Sequence, residues 1–179
     1  YSYDGEDNIQ EIQYPAGIES GMDSLIYHYN AAHTRLESIG IVISGQEKTL
    51  RSYEYDSLGR VTGIRTFTDD TEGYVDICYQ YDLYGRIQKM SYKDAEGAEK
   101  EAHIYTYDRD SNILSETETN TYSSDVTQQI NRCRDYTYDA FGQLVKSVET
   151  DYNDNNKKST TRYIYDRAGN RLAKEEDGT

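Results

Sequence analysis

The feature that most constrains this chain is a phrase it spells seven times. Tyr-x-Tyr followed by Asp or Asn begins at residues 1, 27, 53, 79, 105, 136 and 163, at intervals of 26, 26, 26, 26, 31 and 27 residues. A period of that length marks a repeat architecture, in which one unit cannot bury an apolar face alone and neighbours share one. The phrase also absorbs 14 of the 20 tyrosines, so the fold has to be built on tyrosine.

Each copy parses into two strands around a turn. Tyrosines at spacing two project from one face of a strand, as in Tyr53 and Tyr55, Tyr79 and Tyr81, Tyr136 and Tyr138, or Tyr163 and Tyr165. The acid that follows (Asp56, Asp82, Asp139, Asp166) has a short side chain that bonds amides two residues on and starts a turn. Gly59, Gly85, Gly142 and Gly169 come three residues later and suit the positive φ of a hairpin turn. Asp7, His33 and Ser111 hold that place in the other copies, which predicts looser turns or another type there.

An apolar residue then opens the second strand: Ile9, Leu36, Val61, Ile87, Ile113, Leu144 and Leu172. The polar stretches "DDTEG" and "KDAEG" read as connecting turns, and "NTYSSDVTQQ" carries the five extra residues of the long interval. No stretch keeps a helical period. The expectation is an all-β fold over residues 1–179: a single array of about seven antiparallel hairpins, fourteen strands in one curled or spiralling sheet.

Composition explains the choice of tyrosine. Leu, Ile, Val and Phe together supply 30 of 179 residues, and the net charge is −14, a balance typical of disordered chains. The tyrosines argue for folding. A ring covers area while its hydroxyl stays wet, and rows of tyrosine alternating with aliphatic rows give cross-strand pairs along one face. The acidity speaks against nucleic acid and against anionic membrane surfaces. No apolar run approaches the length of a membrane helix, and the first thirty residues show no signal peptide. A chain that opens on a repeat reads as a piece of something longer. Cys78 and Cys133, two hairpins apart, are expected to be free thiols.

The pattern Tyr-x-Tyr-Asp-x-x-Gly-Arg resembles the YD repeat of rearrangement-hotspot (Rhs) proteins, with related repeats in insecticidal toxin complexes, cell-wall-associated proteins and teneurins. Copies three and four carry the Arg form at Arg60 and Arg86, and copy seven carries the Asn-Arg form ending at Arg171. The resemblance implies a segment of a hollow β-shell from a large bacterial protein, secreted or on the cell surface. Its partners would be the rest of the parent chain and an enclosed C-terminal toxin. The family's core ends in an Asp-Pro-x-Gly type signature. Pro15 is the one proline, so neither that core nor a toxin domain lies within these residues.

No catalytic, cofactor or metal constellation stands out. His28, His33 and His103 lack ligand spacing. "DYNDNN" (151–156) hints at a calcium loop but lacks the sixth-place glycine, and Arg162 stands where the twelfth-place Glu belongs. "SGQEKT" has one glycine and makes no phosphate loop. A structural, non-catalytic role is the expectation. Carbohydrate or cell-surface binding by exposed tyrosine rows is the alternative.

Overall fold

The computed structural model describes residues 1–15, 21–68, 73–125 and 128–177. Fourteen strands lie in one sheet whose spatial order repeats the chain order. The first seven are β1 (Ser2–Tyr3), β2 (Ile9–Gln13), β3 (Met22–Tyr29), β4 (Leu36–Ile43), β5 (Gln46–Tyr55), β6 (Val61–Phe67) and β7 (Tyr74–Tyr81). The others are β8 (Ile87–Lys93), β9 (Glu99–Tyr107), β10 (Ile113–Asn120), β11 (Ile130–Tyr138), β12 (Leu144–Asp151), β13 (Lys157–Tyr165) and β14 (Arg171–Asp177). Every Tyr-x-Tyr ends the first strand of a hairpin, and six of the seven named apolar residues begin the second. Residues 69–72 of one connecting turn and 126–127 of the long stretch fall outside the described residues.

Two compact units make up the chain: Tyr1–Tyr79 with Lys93–Ala98, and Gln80–Tyr92 with Glu99–Thr179. Neither has a core in the usual sense. Among the described residues Ala102 is the one buried apolar side chain, and no large side chain is fully buried. The other buried residues are small: Ser24, Ser91, Thr150, Gly40 and Gly63. The sheet is a single layer, stabilised by its ladder and by half-covered side chains.

Within the first unit the tyrosine face is aliphatic as expected. Tyr27 stands opposite Ile39 and Tyr53 opposite Ile64, while Ile12, Leu25 and Ile41 form a row. The second unit departs from this. There Tyr105 faces Glu116, Tyr136 faces Ser147 and Tyr163 faces Lys174. The face is held by charge pairing instead of aliphatic rows, because the partner positions are polar in these copies.

The opposite face of the first unit is sculpted by strand glycines. Glu47 folds across Gly40 to put its Oε1 2.6 Å from His28 Nε2, spanning three strands. Glu54 lies over Gly63 in the same way, with a carboxylate oxygen 2.9 Å from where a Cβ would stand. A side chain at either glycine would displace the carboxylate above it.

Six hairpins carry a bulge just after the turn. Tyr55 pairs with Val61 but Glu54 with Gly63, so Thr62 is the extra residue. Leu114, Val145 and Leu172 are its equivalents. The last case corrects an expectation. Arg171 occupies the place opposite Tyr165, and Leu172 sits in the bulge with 67% exposure. The extra residue of copy seven follows a turn of ordinary length, so it pushes the leucine out of register. In copy two the extra residue enlarges the turn, and Leu36 keeps its place opposite Tyr29.

Candidate functional site

The candidate site is the turn edge, where the motif residues gather. In copy three the Asp56 amide donates to the Arg60 carbonyl, and the Gly59 amide to the Asp56 carbonyl. Asp56 Oδ1 accepts the amides of Leu58 and Arg60 at 2.9 and 3.0 Å. Its Oδ2 accepts Arg60 Nε at 2.7 Å. Asp82 with Arg86 repeats the arrangement, and Asn8, Asn112 and Asn170 supply the side-chain donor in copies one, five and seven. The carboxylate therefore gathers three donors and shapes the turn by itself.

That explains a second departure from expectation. Gly59, Gly85, Gly142 and Gly169 have φ between 77° and 85°, but Asp7, His33 and Ser111 are left-handed too, at 61°, 53° and 70°. The turns of copies one and five are the same type as the glycine turns, closed by slightly longer bonds of 3.3 Å. The acid's grip imposes the conformation, and short polar side chains tolerate it.

The second motif tyrosine does something the sequence did not suggest. In five copies its hydroxyl is not wet but donates to a backbone carbonyl of the preceding hairpin. Tyr29 reaches Ile9, Tyr55 reaches Leu36, Tyr107 reaches Ile87, Tyr138 reaches Ile113 and Tyr165 reaches Leu144, at 2.6–3.1 Å. The ladder accounts for the geometry. Pairing between β10 and β11 stops at Ser115–Asp135, leaving the Ile113 carbonyl two residues beyond it. Tyr138, three residues past Asp135, spans the gap. Burial pushes the hydroxyls of Tyr29, Tyr55, Tyr107 and Tyr138 up.

The first tyrosines lie deeper in the face, half-buried at Tyr53, Tyr79, Tyr105, Tyr136 and Tyr163. Tyr136 donates to Glu116 at 3.2 Å. Glu116 belongs to a half-buried network on β9 to β12. Arg134 Nε binds Glu149 at 2.7 Å, Arg132 Nε binds Glu118 at 2.8 Å, and His103 lies between Glu101 and Glu116. Among the described residues no group of three His, Cys, Asp or Glu is placed to hold a metal ion. Among the same residues no helix is long and apolar enough to cross a membrane. Cys78 and Cys133 are free thiols, both on the face away from the tyrosines.

These contacts set the pH response. The Arg60 amide holds Asp56 below the usual carboxylate range, and the side-chain amides of Asn112 and Asn170 do the same for Asp108 and Asp166. On acidification the unfolded chain takes up protons first. The stability from these turns is thus complete above the ordinary value of 3.8 and is lost as pH falls through the lowered folded values. Burial, then Glu116, pushes Tyr105 and Tyr136 up to about 12. Their contribution is complete below 10 and is lost as pH rises toward 12. Urea unfolding should give a plateau from roughly pH 5 to 9 with a fall on both sides. A midpoint unchanged down to about pH 2.5 would contradict the turn mechanism.

A single antiparallel layer of Tyr-x-Tyr-Asp hairpins, five of them stapled to the one before by a tyrosine hydroxyl, defines a class of repeat wall. The chain belongs to the Teneurin YD-shell family, whose family model matches residues 23–179. In fold it is similar to part of the Photorhabdus luminescens Tc holotoxin pore bearing a TccC3 mutation, with a TM-score of 0.75 and 18% identity. That match covers 98% of this chain and 9% of the other. The crystal structure of TcdB2-TccC3 is similar too, with a TM-score of 0.69 and 19% identity over 86% of this chain and 8% of that one. The chain thus spans less than a tenth of the length of the solved chains it matches. No curated protein matches it.

Proposed function

We propose that this chain is a structural, non-catalytic wall segment of an extracellular shell whose parent protein encloses or scaffolds a toxin or other effector domain. The seven copies act as one continuous array, with the motif Tyr, Asp and Gly residues as its fasteners. The observation that carries this reading is the hydroxyl staple. The second motif tyrosines spend their rings and hydroxyls on the neighbouring hairpin, which is what a wall needs and a sugar platform does not. Carbohydrate binding by the same rows would require those rings to stand free.

Enclosure gives the two faces of the sheet unequal access in the intact parent. Thr117 pairs with Cys133 on the face away from the tyrosines, and Ser147 pairs with Tyr136 on the tyrosine face. In a parent lacking Cys78 and Cys133, Thr117→Cys and Ser147→Cys should both react with a small maleimide. Only one should react with a maleimide carried on a large polymer. Equal labelling of both by the large reagent would rule out enclosure.

A further inference from the structure

Three consecutive grooves open along the turn edge of the second unit, one between each pair of neighbouring turns from copy four to copy seven. The first, about 590 Å³, is walled by Tyr84, Tyr107 and Arg109. The second, about 370 Å³, has Asp110, Asp139, Leu114 and Tyr136. The third, about 590 Å³, has Phe141, Gln143, Tyr163 and Ala168. The rims are apolar where a turn needs nothing apolar. Leu83, Tyr84 and Phe141 are 102%, 85% and 88% exposed, while the turns beneath are held by their carboxylates.

Copy six also leaves acceptors open. In five of the other copies the residue four after the acid donates its side chain to Oδ2. Gln143 does not, and among the described residues Asp139 receives only the amides of Phe141 and Gln143, both on Oδ1. Gln143 Oε1 is itself buried without a partner. Two acceptors on one turn therefore lack a donor, and Asp139 lines both the second and third grooves.

Neighbouring turns are two strands apart, about 9.6 Å, and three residues of polyproline II helix advance about 9.3 Å and bring the side chain back to the same face. We propose that this edge binds a segment of another polypeptide in polyproline II conformation lying across the turns, with every third side chain, all on one face of that helix, entering a groove. An aromatic ring enters the first groove, between Tyr84 and the Arg109 guanidinium. A Lys or Arg enters the acidic second groove toward Asp110 and Asp139. A ring with its own N–H donor, tryptophan above all, enters the third and donates to Asp139 Oδ2. The net charge of −14 favours such a basic partner. No segment of this chain has an aromatic residue followed three later by Lys or Arg, so a second copy does not fit.

The chain has no tryptophan, so the emission of a tryptophan-bearing peptide reports binding directly. The probe is acetyl-Trp-Thr-Ser-Lys-Thr-Ser-Trp-amide, and its control has the same residues with the two tryptophans adjacent. The probe should bind at least about tenfold more tightly than the control, and Phe141→Ser or Tyr84→Ser should each weaken it about tenfold. Asp110→Asn should weaken it roughly threefold at low salt and little at high salt. Melting curves of the turn variants should match the parent chain, since their side chains are exposed. Equal binding of probe and control, no binding at millimolar peptide, or indifference to Phe141→Ser would overturn the proposal.

Discussion

Tyr138→Ala should lower stability by about 2–3 kcal/mol, somewhat below the range for a fully buried aromatic ring. The ring is half-buried, and its hydroxyl holds the Ile113 carbonyl at 2.9 Å just where the β10–β11 ladder has stopped. Both terms vanish in alanine. Tyr138→Phe keeps the ring and strands the carbonyl, so it should cost about 1 kcal/mol. Tyr55→Ala and Tyr55→Phe should repeat the pair in the first unit, where the bond to Leu36 is 2.7 Å. For a chain of this size the alanine variants should melt roughly 5–10 °C lower. Tyr84→Ala, whose ring is 85% exposed, is the control and should melt with the parent. If Tyr138→Phe is as stable as the parent while alanine is not, the staple is only a ring contact.

The second large effect belongs to the turn. Gly142 has φ of 77°, and a Cβ placed there would meet nothing within 4 Å. Any cost of Gly142→Val is therefore backbone strain, about 1–2 kcal/mol for an ordinary L-residue and at the upper end for a β-branched one. Gly142→Asn should cost less than half of that. Asp7, His33 and Ser111 already adopt the conformation. Thermal melts of Gly142→Val, Gly142→Asn and Ala140→Val decide the matter; a Val at 140 worse than a Val at 142 would mean the strained position is misassigned.

Much of this architecture was legible before any coordinates. The Tyr-x-Tyr spacing placed the first strand of every hairpin, and the Asp-x-x-Gly step placed the turn. The bulge left a trace as well. Apolar and aromatic residues step by three and then two, as in Ile9, Ile12 and Tyr14, and a step of three within one face of a strand requires an extra residue. Once the bulge is recognised, the stranded carbonyl beyond the ladder follows, and with it the use for a tyrosine hydroxyl. Reading tyrosine only as an amphipathic cover hid that link.

Other misses have simpler causes. The aliphatic rows of copies two and three were extended to copies whose facing residues, Glu116, Ser147 and Lys174, are plainly polar in the sequence. Read from glycine alone, the turns at Asp7 and Ser111 come out looser or of another type, whereas it is the carboxylate that makes the turn. Gln143 was visible as a substitution for arginine. That it leaves Asp139 and itself short of donors could be learned only from the geometry, because a longer amide could have reached Oδ2.

The bulge and the turn together make each hairpin forgiving of insertions. A residue gained in copy two swells the turn, and one gained in copy seven displaces a leucine into the bulge, yet the strands on either side keep their pairing. A repeat that can absorb a length change at its own edge does not pass the error to the next one. The array can therefore drift in spacing, copy by copy, while the alternation of faces stays in phase within each unit. Period is loosely kept here because parity is strictly kept.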